Sequence, residues 1–285
     1  MYDLLVEPFT YMFMKRTLVS CLCLALSCGP VGIFLILRRM SLMGDALSHS
    51  VLPGAAVGYV IAGLSLFAMG LGGIISGLCV AILSGLVSRF THLKEDASFA
   101  GFFIISVGLG VLIISMRHNP IDLIHVLFGN ALAVNSLALK IMAAITTLTL
   151  LILALIYRPL VMECFDSNYY KSIQRKGSFH HIVFLFLVVI NLIAGFQALG
   201  TLLSLGMMIL PALTARFWTR RLASMIVLAI LIALLGSFCG LLVAYHQNLP
   251  TGPSIVLIIG VAYVISLVLG TRGSILRTII HKHSA

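Results

Sequence analysis

Long apolar runs separated by short polar connectors make up most of this 285-residue chain. Many of the runs approach the ~20 residues that a helix needs to cross a bilayer. Their positions predict nine spans, at residues 18–37, 46–64, 66–87, 97–116, 136–157, 182–200, 202–215, 224–245 and 254–271. We therefore expect an all-α, polytopic helical bundle in the membrane that forms one domain over residues 1–285. The run 202–215 is short, and if it forms only half a span the count is eight.

Composition excludes an ordinary soluble domain. The chain is 61% hydrophobic and 9% charged, whereas about 25% of residues are charged in soluble proteins. The net charge of +10 could indicate a nucleic-acid partner. The basic residues are, however, spread over short connectors, as expected of a protein whose surroundings are lipid. We therefore expect no nucleic-acid partner.

The distribution of lysine and arginine predicts the orientation of the chain. In the nine-span arrangement, fourteen of the eighteen basic residues fall on one side of the membrane and four on the other. Because cytoplasmic loops are enriched in Lys and Arg, the first side is cytoplasmic. The N-terminus is then outside and the C-terminus inside. The longest polar connector, residues 158–181, is cytoplasmic, and we interpret its His180–His181 pair as solvated.

One carboxylate, Asp45, enters an apolar segment, whereas the other acids fall in polar stretches. A charge at membrane depth costs several kcal/mol, roughly 3 on insertion scales, so such a residue is by default functional. His49 follows four residues later, and residues four apart share one face of a helix. A carboxylate and an imidazole on one face are two ligands for a divalent transition metal.

Two interpretations of Asp45 remain open from the sequence. In the first, Asp45 caps the second helix, because Asp is a favourable N-cap residue, and His49 donates to a backbone carbonyl. In the second, Asp45 and His49 form a metal transit site that binds weakly enough to release its ion.

Proline and glycine interrupt two of the apolar runs. Pro53 and Gly54 lie one turn after His49, and Pro211 lies in the run 202–215. We expect helix breaks at these three residues. Broken helices are tolerated at membrane depth where the backbone lines a cavity or is buried in protein, and we expect the breaks to line the transport path.

The chain carries no motif for ATP hydrolysis. It has no Gly-x-x-x-x-Gly-Lys-Ser/Thr sequence, and no lysine follows a glycine. A P-loop would need both. The protein is therefore not expected to be an enzyme, and if transport is driven by ATP, a separate chain hydrolyses it.

Four segments have a distinctive pattern: residues 37–54 (LRRMSLMGDALSHSVLPG), 199–212 (LGTLLSLGMMILPA), 248–253 (NLPTGP) and 127–129 (LFG). Together they resemble the membrane permease subunits of bacterial ABC transporters for zinc, manganese and related metal ions. The resemblance implies a multi-pass protein of the bacterial cell (inner) membrane that pairs with a second copy of itself. It also implies two further partners, cytoplasmic ATP-binding subunits and an extracytoplasmic metal-binding protein.

The same resemblance implies roles for particular residues. Asp45 and His49 match the family's metal-handling pair. In the connector 158–181, Phe165 and Asp166 match a Phe-Asp element that docks on the ATPase, and we expect Glu163 to take part in the same contact. The following residues, 167–170, fit the family pattern less well.

The sequence therefore predicts an importer permease for a divalent transition metal, with no tightly bound cofactor. Zinc is the first expectation, with manganese and iron next, because Asp and His ligands suit all three. The rival prediction is an autonomous secondary transporter or channel for a divalent cation. A membrane aspartyl protease is disfavoured because it needs two intramembrane acids, and only Asp45 is available.

Overall fold

The computed structural model describes residues 7–63, 65–90, 95–115, 134–165 and 177–271. Within these ranges the chain contains a short 3₁₀ helix, Glu7–Thr10, and α-helices, with no strand. The α-helices are α1 (Met12–Leu37), α2 (Ser41–Ser50), α3 (Leu52–Ala62), α4 (Leu66–Phe90), α5 (Glu95–Ser115), α6 (Ser136–Phe165), α7 (Gly177–Leu199), α8 (Thr201–Arg216), α9 (Leu222–His246) and α10 (Thr251–Leu269). The prediction of an all-α membrane protein is confirmed.

Six of these helices are long and apolar enough to cross a membrane: α1, α4, α6, α7, α9 and α10. Two shorter apolar helices lie at 97–113, within α5, and at Thr201–Arg216, which is α8. The second predicted span is divided between α2 and α3. The count of nine spans stays a prediction.

Helices α1 and α7 form the centre of the bundle. The most apolar window of α1 is 83% buried and that of α7 is 78% buried, against 22–33% for the other four long helices. Helix α1 packs on α6, α8 and α9, and α7 packs on α4, α6 and α8. Hydropathy alone does not separate such helices from those facing lipid, because both are apolar all round.

Hydrogen bonds between side chains and neighbouring helices cross this centre. The Asn191 side-chain amide on α7 donates to Thr149 Oγ1 on α6 at 2.8 Å. The Thr146 hydroxyl donates to the carbonyl oxygen of Cys23 on α1 at 3.1 Å. Such bonds between membrane helices are each worth about 0.6 kcal/mol, and they define how α1, α6 and α7 are arranged.

The second segment is interrupted where α2 meets α3. Helix α2 ends at Ser50, and Pro53 is the second residue of α3. N–H groups in the first turn of a helix have no intrahelical acceptor, so proline, which lacks an N–H, is tolerated there. Ser106 donates to the carbonyl of Ser50 at 3.2 Å, and Ser76 donates to the carbonyl of Val51 at 3.3 Å. The expected break near Pro53 is therefore present, and serines of α4 and α5 bond to its carbonyls.

Gly54 lies inside α3 and not in the break. A Cβ at Gly54 would overlap the carbonyl of Gly72 on α4, and a Cβ at Gly72 would overlap the carbonyl of Gly54. Gly58 meets Ala68 of α4 in the same way. Gly54 therefore serves close helix packing, and the prediction of a break at this residue was wrong.

The break expected at Pro211 is also wrong. Helix α8 runs from Thr201 to Arg216 with Pro211 inside it. The chain turns instead at Gly200, whose φ of +100° favours glycine because it has no Cβ. The Gly200 N–H donates to the carbonyls of Gly195 and Phe196 at 3.1 and 3.2 Å, which ends α7.

The connector predicted at 158–181 is shorter than expected, because it is helical at both described ends. Helix α6 continues through Pro159 to Phe165, and α7 begins at Gly177. The polar residue Glu163 is accommodated in the last turn of α6 because it pairs with Arg38. Asp166 lies outside the described residues.

We predict that Gly54→Ala destabilises the protein by about 1–3 kcal/mol, because the added methyl overpacks the contact between α3 and α4. The matched control is Gly108→Ala in α5, where a Cβ would meet nothing within 4 Å. That substitution should be neutral or stabilising by up to about 1 kcal/mol. Thermal unfolding of the purified variants in detergent measures both, and equal effects would contradict the assigned packing.

Candidate metal-binding site

Helix α2 presents Asp45 and His49 on one exposed face. They are its fifth and ninth residues, and Nε2 of His49 lies 3.8 Å from Oδ1 of Asp45. The side chains are 54% and 46% exposed. The spacing of four residues therefore brings the two predicted ligands together, as the helical period requires.

The opposite face of α2 holds the helix in place. Met43, Gly44 and Leu47 are buried. A Cβ at Gly44 would lie 3.2 Å from Met208 of α8 and 3.3 Å from Leu35 of α1. The helix is thus seated on α1 and α8 by its small and apolar residues, and Asp45 and His49 lie on its exposed side, whereas Ser48 and Ser50 are buried.

Among the residues that the structure describes, neighbouring groups contact His49 and the Asp45 backbone but form no hydrogen bond with the Asp45 carboxylate. The His49 ring lies 5.6 Å from the Phe103 ring of α5, centroid to centroid, at an interplanar angle of 60°. Ser48 donates to the backbone carbonyl of Asp45 at 2.7 Å and not to its side chain. The carboxylate and the imidazole therefore remain close together and accessible.

The alternative in which Asp45 caps a helix does not fit the structure. Helix α2 begins at Ser41 and is preceded by Met40, which makes no side-chain cap hydrogen bond. Asp45 is a full turn inside the helix, where backbone N–H groups are already paired. Helix capping therefore does not explain the presence of this acid.

One chain offers two ligands at this site. The part of the chain that the structure describes contains no group of three or more His, Cys, Asp or Glu side chains placed to hold a metal ion. Zinc sites are usually four-coordinate, and catalytic ones use three protein ligands. The pair can therefore hold an ion weakly, or more firmly if further ligands come from another molecule.

Two of the three residues expected to contact an ATPase, Glu163 and Phe165, lie at the end of α6. Phe165 is the last residue of the helix and is 84% exposed. Glu163 points into the protein, where its Oε2 lies 2.5 Å from Nη2 of Arg38.

Pro53 lies four residues after His49 on the chain, whereas Pro211 is buried in α8.

A buried charge cluster that was not predicted from the sequence surrounds Arg38. This Arg38 cluster comprises Arg38, Glu163, His181 and Phe184. Arg38 Nη1 lies 3.1 Å from Nδ1 of His181, and the guanidinium carbon lies 4.7 Å from the centre of the Phe184 ring. His181 is mostly buried, so its interpretation as solvated was wrong. Arg38 itself was counted only as a charge that sets topology.

Residues 10–270 match the ABC 3 transport family. The chain is 33% identical over 271 residues to the "Manganese transport system membrane protein MntC" of Halalkalibacterium halodurans, covering 95% of this chain and 91% of that protein. It is 32% identical over 268 residues to the "Chelated iron transport system membrane protein YfeD" of Yersinia pestis, covering 94% and 89% of the two chains.

The fold is also similar to a solved structure, PsaBC from Streptococcus pneumoniae in complex with Fab. The TM-score is 0.84 at 31% sequence identity, and the superposition covers 98% of this chain and 99% of the other.

We predict that Asp45→Ala, measured without added metal, leaves the free energy of unfolding unchanged within about 0.5 kcal/mol, as for surface substitutions. The control is Asn135→Ala, because Asn135 Oδ1 accepts a hydrogen bond from the Ala138 N–H at the start of α6. Loss of that cap should cost about 1 kcal/mol. Thermal unfolding distinguishes the two, and an Asp45→Ala loss as large as the control would restore the capping role.

Proposed function

The chain belongs to the ABC 3 transport family, and we propose that it is the permease subunit of an importer that moves a divalent transition metal ion across the cell membrane. ATP is hydrolysed by a separate partner subunit, in agreement with the absence of a P-loop from the chain. The orientation that we propose, with the N-terminus outside, is supported by the charge distribution of the connectors.

The exposed Asp45–His49 pair is the observation that carries this proposal. An acid on a helix of such an apolar chain is energetically costly. Its presence despite that cost indicates by default that it has a function. Here it makes no cap and lies beside an imidazole at 3.8 Å. A carboxylate oxygen and an imidazole nitrogen are ligands that zinc, iron and manganese all accept. We propose that the ion passes between these two side chains.

We propose that a second copy of the chain completes the site. Most oligomers are symmetric homodimers, in which each partner presents the same surface to the other. If the exposed face of α2 lies at that surface, two Asp45 and two His49 side chains surround one ion. Four ligands supply the four-coordinate geometry that is usual for zinc, whereas one chain supplies only two of them. A site built between two movable subunits also releases its ion when the subunits separate.

The interruption next to the pair supports a path beside α2. Ser50 and Val51 have their carbonyls bonded by serines of α4 and α5. Non-helical backbone at membrane depth occurs where it lines a cavity or is buried in protein. We propose that the break at Val51–Pro53 lines the path. Gly54 and Pro211 contribute through helix packing and not through breaks.

Manganese is the ion to test first. Zinc was the first expectation from the sequence, although Asp and His suit zinc, manganese and iron(II) alike. One relative is named for manganese and another for chelated iron. Since the ligand pair itself does not select among these metals, we propose manganese, with iron(II) and zinc as competitors.

Proteoliposomes that contain the permease, its ATPase subunits and its metal-binding protein should accumulate Mn²⁺ when ATP is supplied. Asp45→Asn should lower uptake at least about tenfold, because even the loss of an outer-shell partner costs 10–100-fold at a metal site. The control, Glu7→Gln, neutralises an exposed acid of the 3₁₀ helix and should transport normally.

The permease alone should neither hydrolyse ATP nor accumulate the ion. Concentrative Mn²⁺ uptake by the lone chain under a proton gradient would instead establish the secondary transporter, with Asp45 as its proton carrier. Passive Mn²⁺ flux through the lone chain would establish the channel. Normal uptake by a well-expressed Asp45→Asn variant would remove Asp45 from the transport path.

The exposed end of α6 supports a contact with the ATPase. We propose that Phe165 and Asp166 dock on that subunit. Removal of a buried interface aromatic commonly costs 2 kcal/mol or more. Phe165→Ala should therefore weaken ATPase binding by roughly thirtyfold, measured by titrating the solubilised permease with the ATPase subunit. Phe67→Ala is the control, since Phe67 of α4 is 72% exposed and far from α6 along the chain. Equal binding by both variants would contradict the docking role.

A further inference from the structure

The Arg38 cluster joins three helices through charge. Arg38 follows α1, Glu163 belongs to the last turn of α6, and His181 belongs to the first part of α7. The Glu163 carboxylate lies 2.5 Å from the guanidinium and 3.9 Å from Nδ1 of His181. One guanidinium therefore bonds to both helices that flank the connector, α6 and α7.

The cluster is shielded from water. The side chain of Arg38 is 5% exposed, and those of Glu163 and His181 are 17% and 18% exposed. Phe184 covers the guanidinium at 4.7 Å. Ion pairs on a protein surface contribute little because water screens them. A buried pair is different, because separating its members leaves uncompensated charges in an apolar environment.

The same arginine precedes the helix that carries the metal ligands. Arg39 has a φ of +60°. The Met40 N–H donates to the carbonyl of Leu35 at 2.9 Å, and the Arg39 N–H donates to that of Ile36 at 3.0 Å. This pattern is a Schellman motif, a compact turn with little freedom. Helix α2 begins at the next residue, so a displacement of Arg38 is passed to α2.

We propose that the Arg38 cluster is the internal link that transmits ATPase-driven movement of the connector to α2, and so positions Asp45 and His49 for binding or release. Arg38 and Glu163 are positioning residues, and Glu163 acts inside the permease instead of on the ATPase. The proposal rests on the proposed function. Charge suits this task because α6 cannot move away from the turn without breaking a buried pair, and so carries the turn with it.

The test is the number of Mn²⁺ ions transported per ATP hydrolysed by the complete complex in proteoliposomes. Glu163→Gln keeps the shape of the side chain and removes its charge. It should lower this ratio at least about fivefold, the lower range of coupling between sites, while ATP hydrolysis stays within about twofold of the original rate. Arg158→Gln is the control, because Arg158 is an exposed cation of α6 outside the cluster, and its ratio should not change.

A double-mutant cycle gives a second, independent measure. Arg38→Gln with Glu163→Gln should lower the ratio no further than the worse single variant, because residues of one network are not additive. If Arg38→Gln does not fold, Arg38→Lys serves, because it keeps the charge but lacks the planar fork that holds Glu163 and His181 together. We expect a several-fold lower ratio for this variant.

Two results would overturn the link. If Glu163 had only a structural role, Glu163→Gln would lower transport, ATP hydrolysis and the amount of folded protein together. The number of Mn²⁺ ions transported per ATP would then be unchanged. The link would also be overturned if folded Glu163→Gln and Arg38→Lys variants transported as many Mn²⁺ ions per ATP as the original protein. If the original complex transports no Mn²⁺, Zn²⁺ or Fe²⁺ at all, the proposed function fails instead.

Discussion

A backbone carbonyl inside a bilayer has no water to bond, and this constraint shapes each interruption of the bundle. At the junction of α2 and α3, the Ser106 hydroxyl donates to the carbonyl of Ser50, and the carbonyl of Val51 accepts from the Ala55 N–H and from the Ser76 hydroxyl. Each uncompensated group would cost several kcal/mol. The interruption next to Asp45 and His49 therefore depends on Ser106 of α5 as well as on Pro53.

The same constraint acts on charges, and the chain meets it in two ways. In the Arg38 cluster, opposite charges are enclosed together beneath an aromatic ring and compensate each other, although Nε of Arg38 has no hydrogen-bond partner in the described part of the chain. At α2, Asp45 and His49 are left accessible, 3.8 Å apart, with the His49 ring beside that of Phe103. An enclosed pair suits the transmission of movement, whereas an open pair suits a passing cation. One short segment, residues 38–49, contributes Arg38 to the enclosed pair and both members of the open pair.

The class of fold and the shared helix face of Asp45 and His49 were predictable from the sequence, because each depends on local patterns. Apolar runs predicted helices, and the spacing of Asp45 and His49 predicted a shared face that the structure has. Prediction from the sequence failed at Gly54 and Pro211, where a break was expected and a continuous helix is found. Gly54 instead allows close approach to Gly72, and such a contact depends on a residue eighteen positions away.

The sequence by itself determined the membrane class, the helical character of the chain, the absence of a P-loop motif and the placement of Asp45 and His49 on one helix face. These follow from composition and from the period of the helix. Only the tertiary structure decided that α1 and α7 are central, that Asp45 caps nothing, and that Glu163 turns inward to Arg38, 125 residues away. The physical reason is that burial and ion pairing depend on which helices meet, and apolar helices of similar composition do not reveal their neighbours.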